Sequence, residues 1–83
     1  MKISNPEITV RNAGEVLQQV LAAVKKGDFE LDFASVQKID SSALAVILSA
    51  KRALPQGKTL NLANQPAQLD SLISAYGVQS LFS

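Results

Sequence analysis

The sequence predicts a small α/β domain with a mostly parallel, four-stranded sheet and helices mainly on one face. Three observations carry this reading. Apolar residues switch along the chain between a period of two and a period near 3.6, the signatures of strands and of helices. Strand-like and helix-like segments alternate at short intervals in the order β-α-β-α-β-α-β, the pattern of parallel strands joined by helical crossovers. The chain has 83 residues, of which 47 % are apolar and 18 % charged. That is too apolar for a disordered segment and the right length for one domain, residues 1–83.

Each element follows from local chemistry. Ile8 and Val10 alternate with Thr9 and predict a short first strand, with Pro6 at an edge or turn because it lacks a backbone donor. Asn12 is placed to cap the first helix, with Glu15 three residues on as its capping-box partner. Ala13, Val16, Leu17, Val20, Leu21 and Val24 recur at helical spacing, and Gly27 ends a helix over residues 13–26. Lys25 and Lys26 suit the negative end of its macrodipole. Phe29, Leu31 and Phe33 alternate with Glu30 and Asp32, predicting a strand with one covered and one wetter face. Residues 34–40 read as a connection, with Val36 and Ile39 dipping into the core.

Asp40 or Ser41 then caps a second helix over residues 42–53. Leu44, Ile47, Leu48 and Leu54 mark its expected core stripe, with Ser42, Ala45, Val46, Ser49 and Ala53 roughly opposite. Pro55 and Gly57 terminate it, and residues 59–62 alternate as a further strand. Asn64 is the expected cap of a third helix, with Pro66 in its first turn and Leu69, Leu72, Ile73 and Tyr76 on one face. Val78, Leu81 and Phe82 suggest a last edge strand after Gly77.

Composition excludes much chemistry. The chain has no cysteine and no histidine, so disulfides, thiolate nucleophiles, zinc sites of the Cys/His type and histidine relays are ruled out. No metal site or cofactor is expected. Four glycines at 14, 27, 57 and 77 form no phosphate-cradling loop. Glu30 and Asp32 share a strand face, but a solvated surface pair explains them better than acid/base chemistry. A formal net charge of +1 leaves no electrostatic footprint for nucleic acid. No apolar run reaches the ~18–20 residues of a membrane span. Asn5, Pro6 and Glu7 stand where a signal peptide has its apolar core, so a cytoplasmic location is expected.

The unusual spot is Asp40-Ser41-Ser42, three short polar residues at a helix N-terminus. Capping explains them simply. A helix N-terminus also contacts anionic groups favourably, and phosphorylation of a serine there adds about −1.5 to −2 charges beside any interface. The adjoining helix face of Ala45, Val46, Ser49 and Ala53 lacks the Glu/Lys dressing of an exposed helix. Either a neighbouring helix covers it or it is a smooth surface for a partner.

Residues 36–48, VQKIDSSALAVIL, resemble the signature of the STAS domain family, in which an apolar strand leads through Asp-Ser/Thr into an apolar helix. Ala43 stands where that signature usually has glycine, and the N-terminal strand segment is shorter than in many members. Residues 69–81, LDSLISAYGVQSL, and the short length are most like the small STAS subunits of Mla phospholipid-transport systems. The resemblance implies a STAS-like fold and a non-catalytic cytoplasmic subunit. Such a subunit binds the ATPase of an ABC-type phospholipid transporter that maintains outer-membrane lipid asymmetry, and meets the inner membrane only through that partner. The implied partner-binding residues are Asp40, Ser41, Ser42, Ala45, Val46 and Ser49. The related alternative is an anti-sigma-factor antagonist switched by phosphorylation of Ser41. The resemblance leaves room for a homodimer. Nucleotide binding, proposed for some relatives, has no phosphate loop to support it here.

Overall fold

The structure, a computed structural model, describes residues 1–77. Seven elements follow in order: β1 (Glu7–Ile8), α1 (Ala13–Lys25), β2 (Glu30–Asp32), β3 (Lys38–Ile39), α2 (Ser42–Arg52), β4 (Asn61–Ala63) and α3 (Ala67–Ala75). The strand expected at Val78–Phe82 lies outside the described residues.

Every strand pairing is parallel, as the alternation of strands and helices predicts. The expected single four-stranded sheet is replaced by two parallel pairs. β1 pairs with β3, placing Ile8 opposite Ile39, and β2 pairs with β4, placing Leu31 opposite Leu62. β3 falls in the segment that the sequence reads as a connection. Its two residues are too short a run for alternation to reveal.

The N-terminal segment touches both pairs. The Ile3 N–H donates to the Asp32 carbonyl at 3.0 Å and the Asp32 N–H to the Met1 carbonyl at 2.9 Å. The Met1 ammonium pairs with the Asp28 carboxylate at 2.6 Å. Pro6, without an N–H, interrupts this strand, and its carbonyl instead receives the N–H groups of Gln37 and Lys38 at 2.7 and 3.2 Å. The proline thus ends pairing along β2 and opens pairing along β3.

Along β2, Leu31 and the following Phe33 are buried, Glu30 is exposed and Asp32 half-buried, so the expected alternation holds. In α1 the buried stripe is Val16, Val20 and Val24, four residues apart on one face, with Leu17 and Leu21 on its half-buried flank. Asn12 does not cap α1 with its side chain. Its Oδ1 accepts the Thr9 N–H at 2.9 Å and its Nδ2 donates to the Glu7 carbonyl at 2.8 Å, closing the turn from β1. Asn64 likewise is no helix cap. It takes a left-handed conformation (φ 54°) after β4, and Pro66 holds the N-cap position of α3. In α3, Leu69 and Ile73 are buried and Leu72 half-buried, but Tyr76 is exposed.

The main correction concerns α2. Its buried residues are Ala43, Leu44, Val46, Ile47 and Ala50, while Leu48 and Leu54 are only half-buried. Val46, expected on the outer face, is 3 % exposed. The inward face is centred on the 43–46–47–50 row, with alanine at both ends. Small side chains let neighbouring backbone come close. α2 meets α1 more extensively than any other two elements meet, and it also touches α3. Covered from two sides, α2 buries more of its circumference than a single stripe of large apolar residues indicates.

Ile47→Ala is therefore expected to cost about 2–5 kcal/mol of unfolding free energy, and Leu48→Ala measurably less. Val46→Asp, which buries an unpaired charge, should abolish the cooperative unfolding transition. Denaturant titrations of the three variants check the order. Leu48→Ala costing more than Ile47→Ala would contradict this assignment of the core face.

Candidate functional site

Parallel pairing of β1 with β3 brings their carboxyl ends side by side. In parallel α/β proteins this is the end where functional groups gather, because loops and helix N-termini converge there. Here it joins the β1–α1 turn, Thr9–Asn12, to the N-terminus of α2.

Asp40 joins them. Its Oδ1 accepts the Ser42 N–H at 2.8 Å and its Oδ2 accepts the Val10 N–H at 3.1 Å. The Ser42 hydroxyl adds a further bond to the carboxylate. Its own N–H donates to the Ile8 carbonyl at 3.1 Å and its carbonyl accepts the Ala43 N–H at 3.0 Å. The bonds from the Ser42 and Val10 N–H groups, with the Ser42 hydroxyl and Lys38 assisting, hold the Asp40 carboxyl below the usual carboxylate range.

This arrangement decides the role of Ser41. Ser41 occupies the N-cap position of α2, but its side chain makes no capping bond and its backbone is already helical (φ −61°, ψ −17°). Asp40 satisfies the first turn instead, and Ser41 is exposed. Ala45, one turn further on the same face, is exposed too, while Ser42 and Ser49 are half-buried. Val46, buried in the core, is withdrawn from this surface.

Val10 is the residue that sequence reading missed. Alternation with Ile8 places it in a strand, but it lies in the turn after β1 and is 78 % exposed. The Asn12 N–H bonds to the Thr9 carbonyl at 3.0 Å and the Arg11 N–H to Thr9 Oγ1 at 3.3 Å, so the turn is closed beneath Val10. A β-branched apolar side chain on a braced turn, tied to Asp40 beside a free serine, makes a small ready-made contact surface. No signal in the sequence separates this valine from an ordinary strand residue.

The other candidate chemistry resolves into structure. Asp32 Oδ1 accepts the Ala34 N–H and the Asn64 amide, each at 2.9 Å, and these bonds keep its carboxyl below the usual range. It ties the end of β2 to the turn after β4. Among the described residues, no three His, Cys, Asp or Glu side chains come together as a metal site. None of the described helices is long and apolar enough to cross a membrane.

The depressed Asp40 carboxyl fixes the sign of a pH effect. Its contribution to stability is present above the unfolded-state value of about 3.9 and is lost as pH falls through the lower folded value. Asp40→Asn removes the charge, so it should lower stability near neutral pH and flatten the acid loss seen in the wild type. Urea midpoints measured from pH 7 down to pH 2 for both proteins check this. Parallel pH profiles would show that Asp40 is not the linked group.

A family model described as "Mlab, STAS domain" matches residues 6–83. No curated protein and no solved structure matches the chain. The matched span contains both β1 and α2, and so the whole Val10–Asp40–Ser41 surface. STAS domains are in general non-catalytic modules of protein interaction, and the α/β architecture with parallel pairing is consistent with their fold. The chain belongs to the STAS domain family.

Proposed function

We propose that the protein is a non-catalytic subunit that binds the ATPase of an ABC-type phospholipid transporter and stabilises or regulates it, reaching the inner membrane only through that partner. The observation that carries this reading is the exposed Ser41, released from capping by Asp40 and flanked by exposed Val10 and Ala45. Capping was the plain explanation of Asp40-Ser41-Ser42, and for Ser41 it does not hold. The family match, described by the name Mlab, supports a transporter subunit over other STAS roles.

In this reading Val10 is the apolar anchor, Ser41 exchanges hydrogen bonds with the partner, and Ala45 permits close backbone approach. Asp40 is the positioning residue. Ser42 and Ser49 border the contact. The exposed Ser41 hydroxyl also suits a kinase, which keeps the anti-sigma-factor antagonist reading as the second one. There a phosphate on Ser41 would switch binding off.

Val10→Asp, Ser41→Glu and Ala45→Asp each place a negative charge on the proposed contact without touching the core. Ser41→Glu also sits where a helix N-terminus favours negative charge. All three should keep native circular dichroism. Each should weaken co-purification with the transporter ATPase by about tenfold or more, since an unpaired charge buried in an interface is costly. Folded variants that bind the ATPase as tightly as wild type would place the contact elsewhere. A kinase-like anti-sigma factor retained in place of the ATPase, and lost with Ser41→Glu, would establish the second reading.

A further inference from the structure

We infer that the cleft between the C-terminal half of α2 and the strand leading into β4 binds an anionic amphiphile, a small molecule with an apolar body and an acidic head. The cleft has a volume of about 350 Å³ and is lined by Ile47, Lys51, Lys58, Leu60 and Leu62 with Thr59 and Asn61. That volume falls at the small end of ligand sites, which run from roughly 300 to 1,000 Å³.

Its lining divides by chemistry. Ile47, Leu60 and Leu62 supply apolar surface, and Leu60 and Leu62 are only half-buried by the protein itself. Lys51 and Lys58 supply two positive charges, and no carboxylate lines the cleft. Lys51 lies in the last turn of α2, where a cation also complements the helix dipole. That explanation does not extend to Lys58, which lies beyond the helix. A turn closed by the Lys58 N–H on the Pro55 carbonyl at 3.1 Å, with Gly57 in the left-handed region (φ 84°), brings Lys58 back to the opposite wall. Glycine is the residue that takes this backbone without strain. Two lysines brought from separate elements onto an apolar floor complement an acidic head on an apolar body. The Thr59 hydroxyl and Asn61 amide add hydrogen-bond donors of the kind that fix a head group.

Ser41 and Lys51 are ten residues apart on α2, about 15 Å along the helix axis. The cleft is therefore distinct from the proposed docking surface, and each can fail without the other.

Decanoate is the probe, used below its micelle concentration and followed by amide chemical shifts of the full chain. Acetate supplies the head without the body, and decyltrimethylammonium supplies the body with the opposite charge. Saturable shifts at Ile47, Lys58, Thr59, Leu60 and Leu62 are expected with decanoate, with binding at least about tenfold weaker for both controls. Lys58→Gln, an exposed substitution, should weaken decanoate by about fivefold to tenfold, and Lys51→Gln should act in the same direction. Equal binding of decyltrimethylammonium, equal binding of acetate, shifts centred away from these residues, or no saturable shift would each overturn the assignment.

Discussion

The Asp40 carboxylate is the interaction on which the candidate surface depends. One oxygen holds the first turn of α2 through Ser42, and the other holds the β1–α1 turn through Val10. A carboxylate that accepts from backbone N–H groups makes charge-assisted bonds, stronger than neutral ones. The same group does two jobs that usually fall to different residues. It satisfies the helix N-terminus, and it locks that terminus to the neighbouring strand. Because Asp40 does the capping, Ser41 is left with an exposed hydroxyl at the positive end of a helix.

Rigidity behind that surface comes from the packing of α2. Ala43, Val46, Ile47 and Ala50 are buried, and α1 lies along the helix. Close packing of small and branched side chains resists rotation of the helix, because any shift would open voids or force clashes. The exposed Ser41–Ala45 row therefore stands on a fixed support. Pre-ordered contact groups lose little freedom on binding, which favours association through a small patch. The surface formed by Val10, Ser41 and Ala45 is such a patch, and its apolar anchor is braced by backbone hydrogen bonds within its own turn.

The sequence made the helices and the family legible, and left the finer geometry hidden for physical reasons. α1 lies where the spacing of Val16, Val20 and Val24 places it, and Gly27 follows it with a positive φ. The run from Val36 to Leu48 carried the STAS resemblance, which the family match bears out. β3 was not legible, because two residues paired only through tertiary contact have no period to read. The split of the N-terminal strand was foreshadowed by Pro6, but which strands its two halves would join was not. The face of α2 was misjudged because large residues were taken to mark the core. The inward row instead has alanines at 43 and 50, and it carries Val46 inside with it. Asn12 and Asn64 read as caps by residue type. Both serve turns instead, since an Asn side chain can bond either backbone.

The central claim is that partner contact falls on the surface that Asp40 organises. Amide hydrogen exchange of the domain, alone and bound to the ABC transporter ATPase, tests it most directly. The account predicts slowed exchange in the Val10–Asn12 turn and in the Ser41–Ser49 half of α2, with α3 unchanged. Slowing confined to α3 or to residues 55–62, with the Val10 turn and the start of α2 unaltered, would contradict it.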